Sequence, residues 1–96
     1  MYRDNFRARV ASPRQADRIA EVRQDVVREC HLSLSPQEVT RMDELLKFRI
    51  RGFIQQEDMR RRLEAKFEDD GIGLDPDAAR DTSRYLEKLL GQGMYL

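Results

Sequence analysis

Two neighbouring side chains, Cys30 and His31, have the residue types that could support nucleophilic catalysis, and they are the chain's single cysteine and single histidine. A cysteine nucleophile requires a base within hydrogen-bonding reach. Consecutive residues on a helix point about 100° apart, so these two side chains do not face each other. We therefore expect no enzymatic activity. Cys30 is predicted to be a small core residue, and His31 a helix-end residue whose protonated ring would favour the helix dipole.

Residues that could bind a metal are also few. One histidine and one cysteine form neither a multi-histidine site nor a CxxC knuckle, and a single cysteine excludes an internal disulfide. The acidic pair Asp69-Asp70 lacks the D-x-D-x-D-G spacing of a calcium loop. The sequence thus predicts no metal and no cofactor, and its cysteine content fits a reducing cytoplasm.

The arginines at 60–62, with Arg49 and Arg51 before them, are the best candidates for nucleic-acid contact, because a helix-turn-helix places its second helix in the major groove. However, 18 basic and 18 acidic residues give a formal net charge of zero, whereas polyanion-binding domains usually have a basic excess. Acidic residues also lie four positions from each arginine of the cluster, which predicts ion pairs on a solvated helix face. The predicted pairs are Glu57–Arg61, Asp58–Arg62 and Arg60–Glu64.

The elements that would position these residues begin at three proline sites. Serine and aspartate side chains accept hydrogen bonds from amides of a helix's first turn, and proline fits the first helical position. Gln15 and Glu38 add the second half of two capping boxes. The starts are Ser12-Pro13, Ser35-Pro36 and Asp75-Pro76, and with the apolar periodicity they predict helices over 13–31, 36–52, 56–68 and 76–91.

The boundary between the second and third helices depends on Gly52. The apolar stripe of the second helix ends at Phe53, and a new stripe begins at Met59 and continues to Leu63. Extending the first stripe by the helical period would place charged residues on the apolar face. This break in phase indicates a turn over 52–56 with Gly52 as the C-terminal stop. The alternative is one continuous helix that is kinked at the glycine.

Short connections between these helices predict an all-α fold, a small four-helix bundle. We expect one helical domain over 12–91, preceded by an N-terminal arm (1–11) and followed by an apolar tail (92–96). No apolar run approaches the roughly 18 residues of a membrane span. The N-terminus has no apolar centre of the kind found in secretory signals, so the predicted location is the cytoplasm.

The helix, glycine turn and second helix of residues 32–67 follow a recognisable pattern. It consists of Ser35-Pro36-Gln37, Val39, Met42, Gly52 and the stripe Met59/Leu63. This pattern resembles the core of VbhA-type antitoxins, small all-α partners of Fic-domain AMP-transferring toxins. The resemblance implies a small helical inhibitor that binds a protein partner.

In that family, a preceding helix carries a Ser/Thr-x-x-x-Glu-Gly/Asn motif. The resemblance implies that the motif's glutamate pairs with an active-site arginine of the toxin and obstructs ATP binding. Here Glu29 matches the glutamate, whereas Asp25 and Cys30 stand at the hydroxyl and glycine positions. The looser Ser/Thr-x-x-x-Glu spacing also occurs at Ser83/Glu87 and Thr40/Glu44.

The sequence favours a cytoplasmic protein-binding inhibitor or regulator, either antitoxin-like or a phage-encoded inhibitor of a bacterial defence complex. Its predicted mechanism is occlusion, with an amphipathic segment filling a groove on the partner. A nucleic-acid-binding helix-turn-helix regulator and a homodimeric scaffold are the alternatives. The predicted contact residues are Tyr2, Phe6, Phe53, Tyr95 and Leu96 as anchors, Arg49, Arg51, Arg60, Arg61 and Arg62 as polar rim, and Glu29 from the resemblance.

Overall fold

A computed structural model describes residues 13–92, which form helices joined by short turns and, within this range, no strand. The predicted all-α, four-helix architecture is confirmed. The helices are α1 Pro13–Glu29, α2 Pro36–Ile50, α3 Gln56–Glu64 and α4 Pro76–Gly91, and a short 3-10 helix spans Phe67–Asp69.

Two of the predicted helix starts lie within the described residues, and both are confirmed. The Ser35 hydroxyl accepts from the Glu38 amide at 3.2 Å, while the Glu38 carboxylate accepts from the Ser35 amide at 2.9 Å, which completes the capping box. Asp75 accepts from the Ala78 amide at 2.8 Å. The third predicted cap, Ser12, lies outside the described residues.

Helices α1 and α2 each end two residues earlier than predicted, at Glu29 and Ile50 instead of 31 and 52. The reason is a left-handed residue after each end, His31 at φ 55° and Gly52 at φ 82°. The residue after each of them donates back over a six-residue turn: Leu32 to the Val27 carbonyl at 3.0 Å, and Phe53 to the Phe48 carbonyl at 2.8 Å. Gly52 therefore terminates α2, and a single helix that is kinked at Gly52 is excluded.

The third helix ends at Glu64 instead of the predicted 68. The chain turns extended at Ala65 and then forms the 3-10 helix, because Arg41 of α2 holds this segment in place. The Arg41 guanidinium donates to the carbonyls of Phe67 and Gly71 at 3.0 and 2.9 Å, and lies 4.1 Å from the centroid of the Phe67 ring. A tertiary contact thus outweighs the local helical pattern.

The core is contributed by all four helices and by the loop before α4. In α1 the buried stripe runs through Ile19, Val22 and Val26. Arg23 lies beside it, with its Nε 2.7 Å from Asp43 Oδ1 of α2. No described helix has the length and apolar character needed to cross a bilayer. The buried apolar residues are Ile19, Val22, Val26, Met42, Leu45, Leu46, Met59, Leu63, Ile72, Ala79, Leu86 and Leu89.

Candidate partner-binding surface

Two aromatic side chains stand out at the corner between α2 and α3. Phe48 is 41% exposed and Phe53 is 70% exposed, and they are the exposed large hydrophobic residues of the described chain. Their ring centroids lie 6.2 Å apart at an interplanar angle of 53°, within the range of favourable tilted aromatic pairs. We call this pair, with Lys47 and Arg51 beside it, the aromatic corner.

The backbone of the α2 C-terminus creates the pair. Gly52 donates to the Arg49 carbonyl at 3.1 Å, and Phe53 donates to the Phe48 carbonyl, which together form a Schellman motif. This motif commonly brings the side chains at the two ends of its six-residue turn into contact. The motif accounts for the aromatic contact, but it does not require that both rings remain open to water.

The sequence predicted Phe53 as a contact anchor and also as the end of the buried stripe of α2. The structure leaves it exposed, so the second prediction is wrong. The left-handed turn at Gly52 rotates Phe53 away from the core, and Ile54 packs against the core instead. Sequence reasoning missed Phe48. Once Gly52 is taken as the residue after the helix end, the Schellman pairing rule points to Phe48 as the neighbour of Phe53.

Arg49, predicted as a rim residue, is engaged within the fold. Its Nε and Nη2 each donate to the Glu87 carboxylate of α4 at 2.7 Å, and its Nη1 donates to the Ile54 carbonyl at 3.4 Å. Arg49 therefore fixes the aromatic corner to α4. The exposed cations of the corner are Lys47 and Arg51. Residues 45–56 contain no acidic side chain, so the segment that carries the rings has only cationic charged residues.

The arginine cluster of α3 divides into two kinds of residue. Arg60 binds the carboxylates of both Glu57 and Glu64, the latter at 2.6 Å, so the predicted Arg60–Glu64 pair is confirmed. The hydrogen bond from Arg60 lowers the pKa of Glu57 below its ordinary value, with the arginine's charge as a further cause. Arg61 and Arg62 are exposed.

The two predicted pairs of Arg61 and Arg62 do not form within the described residues. Glu57 turns to Arg60, three residues on, and Asp58 accepts from the Gln55 amide at 3.3 Å as part of the α3 cap. Both acids are thus already engaged at the helix start. The cluster consequently presents two arginine side chains to solvent.

The remaining predicted residues are not part of the aromatic corner. Glu29 is exposed at the end of α1, with Arg28 Nε 3.7 Å from its carboxylate. Tyr2, Phe6, Tyr95 and Leu96 lie outside the described residues. Of the looser motif matches, Thr40 donates to the Pro36 carbonyl at 3.2 Å, Ser83 is buried, and Glu87 is occupied by Arg49.

The Cys30 thiol is half-buried at the end of α1. Burial raises the pKa of this thiol, while the neighbouring Thr82 lowers it to a lesser extent. A raised pKa reduces the thiolate fraction that a nucleophile requires. Among residues 13–92, no group of three or more potential metal ligands lies together.

No known protein family matches the chain, and neither a curated protein nor a solved structure has significant similarity to it.

Proposed function

We propose that this chain is a small non-enzymatic protein-binding inhibitor or regulator that acts by occluding a surface of its partner. The observation that carries the proposal is the aromatic corner, where Phe48 and Phe53 are held against each other while exposed. Aromatic and arginine side chains contribute disproportionately to binding energy at protein interfaces. The corner supplies both types of side chain.

The corner is suited to binding because its shape is set before a partner arrives. The Schellman motif fixes the backbone between the two rings, and the Arg49–Glu87 pair ties this end of α2 to α4. A rigid aromatic surface loses little conformational entropy on association. The cationic residues of this segment, among them Lys47 and Arg51, favour an acidic partner surface that presents an apolar pocket.

The class of partner follows from the resemblance of residues 32–67 to VbhA-type antitoxins. A toxin would be the partner of an antitoxin-like protein, and a defence-complex subunit that of a phage-encoded inhibitor. Either role would be performed in the cytoplasm. A homodimer formed through the aromatic corner would bring like charges together, because the corner carries cations on both copies.

A nucleic-acid-binding regulator is the second candidate, and the exposed Arg61 and Arg62 favour it. Arg60 contributes little to it, because two carboxylates already neutralise its charge. A mobility-shift assay with duplex DNA at two salt concentrations separates the candidates. Binding that weakens steeply with salt and is lost in Arg61→Ala/Arg62→Ala would replace the protein-partner proposal.

The proposal is tested with the full chain as bait and its Phe48→Ser/Phe53→Ser variant beside it. Proteins captured by the wild type are identified by quantitative mass spectrometry, and the affinity of the purified partner is then measured by calorimetry. We expect the double substitution to weaken binding about a hundredfold, because each ring acts as an anchor. Gln24→Ser, an exposed position on α1, is the matched control and should retain full affinity. Equal affinity of all three proteins would refute the aromatic corner as the binding surface.

A further inference from the structure

An open groove lies on the outer face of α2, and we call it the α2 groove. Its volume is about 330 Å³, and its lining residues are Gln37, Thr40, Arg41, Glu44 and Phe67. The Phe67 ring and the Arg41 guanidinium, which stack on each other at 4.1 Å, form part of this lining. The volume is close to the lower limit of roughly 300 Å³ for ligand pockets, so the groove has room for one large side chain.

The α2 groove and the exposed ring of Phe48 share one face of α2. Residues at spacings of four, three and four positions are neighbours along a helix face, and this spacing links Gln37, Arg41, Glu44 and Phe48. The helical rise places Phe48 about 10.5 Å beyond Arg41 along the axis. One face of the helix therefore carries an exposed aromatic side chain and, two turns away, a groove large enough to accept one.

A face with these two features is complementary to itself. When two copies pack with their α2 helices antiparallel and a two-fold axis beside Glu44, residues equally far before and after Glu44 lie beside one another. Phe48 of one copy then lies beside Thr40 of the other copy, at the α2 groove. There its ring packs against the stacked Phe67 and Arg41 side chains. The two-fold axis forms both of these contacts at once and closes the assembly at two copies.

The charges beside the axis favour this arrangement. Glu44 is exposed, and its one ion-pair contact within the described residues is a long one of 3.9 Å to Arg41. Lys47 is exposed and makes no ion pair within residues 13–92. In the antiparallel pair, each Glu44 meets the Lys47 of the other copy. Two glutamates and two lysines then alternate around the axis, so each charge has opposite charges as its nearest neighbours.

The outer ends of the two surfaces also differ in charge. The residues after Phe67 are acidic, exposed and without an ion pair in the part of the chain that the structure describes: Glu68, Asp69 and Asp70. Lys66 is the one basic residue of 66–70. Arg41 holds this segment beside the first half of α2. Arg51 follows Glu44 by seven residues, so the antiparallel pair brings the aromatic corner to the first half of the other α2 and to this acidic segment.

We propose that this face of α2 is a homodimer interface, in which Phe48 of each copy occupies the α2 groove of the other. Direct contact between two aromatic corners would bring like charges together, whereas here each corner faces the acidic segment of the other copy. A chain of 96 residues has a small core, so a second copy that covers exposed rings adds stability. The dimer is independent of the proposed protein-binding role. Both use Phe48, so the dimer and a complex with another protein would exclude each other.

Sedimentation equilibrium of the full chain tests the dimer. The average mass should rise with concentration from that of one chain towards that of two. Phe48→Ser should weaken dimerisation at least about tenfold, because the change removes a ring from both grooves. A strict monomer up to about 1 mM, or a dimer that Phe48→Ser leaves unchanged, would overturn the proposal and leave the protein-binding role untouched.

Charge reversals test the antiparallel arrangement. Glu44→Lys and Lys47→Glu should each weaken dimerisation about tenfold or more, because each change occurs twice and places like charges together. The two variants should associate when they are mixed, since opposite charges then meet at both contacts. The double variant should dimerise like the wild type for the same reason. Glu21→Lys makes the same charge change at an exposed position of α1 and should leave dimerisation unchanged.

Equal weakening in Glu21→Lys and Glu44→Lys, or no recovery in the mixture and the double variant, would contradict the arrangement. Circular dichroism should show an unchanged fold in all of these variants, because the substituted side chains are exposed. Replacement of Phe48 by p-benzoylphenylalanine keeps an aromatic side chain and maps the contact directly. We expect a photoproduct with the mass of two chains, joined to residues 37–44 or 67 of the other copy. Attachment outside these residues would rule out the α2 groove as the site.

Discussion

Arg49 of α2 and Glu87 of α4 form a bidentate ion pair, in which both nitrogen-to-oxygen distances are 2.7 Å. The two side chains are only 19% and 22% exposed, so water screens them weakly. Pairs of this geometry are stronger than the median surface salt bridge. The pair joins the end of α2 to the C-terminal half of α4, and it thereby supports the aromatic corner.

A double-mutant cycle measures this pair. Arg49→Gln, Glu87→Gln and the double variant should give a coupling of about 1–2 kcal/mol in the free energy of unfolding by urea. Arg28 and Asp25 of α1 offer a matched comparison, because they form an ion pair of similar length, 2.6 Å, in which the Arg28 side chain is largely exposed to water. The coupling expected there is below about 0.5 kcal/mol. Similar couplings at both pairs would show that Arg49–Glu87 has no special role.

The two left-handed helix ends predict opposite effects of matched substitutions. His31 adopts φ 55°, which costs a side-chain-bearing residue about 1 kcal/mol, whereas Gly52 adopts φ 82° without such a cost. His31→Gly should stabilise the protein by up to about 1 kcal/mol, and Gly52→Ala should destabilise it by about the same amount. An added Cβ at Gly52 meets no atom within 4 Å, so backbone conformation alone decides the result. Thermal unfolding would contradict the prediction if both changes shifted Tm in the same direction.

Gly71 is required for a different reason, the close approach of two backbone segments. A Cβ at this position would lie 2.1 Å from the carbonyl oxygen of Ala65. Gly71→Ala should therefore destabilise the protein by about 3 kcal/mol or more, since the chain after α3 would have to move. Gly91→Ala is the control, because a Cβ there meets no atom within 4 Å and alanine favours a helix. Denaturant unfolding in which the two variants were equally stable would rule out the steric explanation.

The Cys30 thiol should react slowly with alkylating reagents. Its raised pKa, which results mainly from burial, lowers the thiolate fraction at any pH near neutrality. The rate of iodoacetamide labelling should therefore rise with pH, and the pH at the midpoint of this rise should be higher in the folded protein than for the same cysteine in denaturant. Coincident midpoints in folded and denatured protein would show that burial does not affect this thiol.

Much of the fold could be predicted from local signals, because caps act within one turn. Ser35, Asp75 and Gly52 identified two helix starts and one helix end. One error arose where contacts between distant parts of the sequence determine the structure, and another arose from the backbone conformation of a single residue. The Arg41 guanidinium shortens α3 by holding the carbonyls of Phe67 and Gly71, which lie 26 and 30 residues away in sequence. His31 ends α1 in a left-handed conformation that favours glycine, so a histidine at this position did not predict the helix end.

The residues of the candidate surfaces were also predicted only in part, because some of their contacts depend on the folded structure. Phe53 was identified from its position beside Gly52, but Phe48 becomes its neighbour only through the Schellman turn. The sequence presents Arg60, Arg61 and Arg62 as one cluster. In the structure Arg60 pairs with two carboxylates, whereas the side chains of Arg61 and Arg62 are exposed.

The proposal of an occluding protein-binding role is tested most directly by site-specific photo-crosslinking. Phe53 is replaced by p-benzoylphenylalanine, an aromatic of related shape, and Gln24 is replaced in the same way as an exposed control on α1. We expect a discrete protein adduct at position 53 in cells that carry the gene, and we expect it to be absent at position 24 and to be competed by wild-type chain. Equal labelling at both positions, or no protein adduct at position 53, would contradict it.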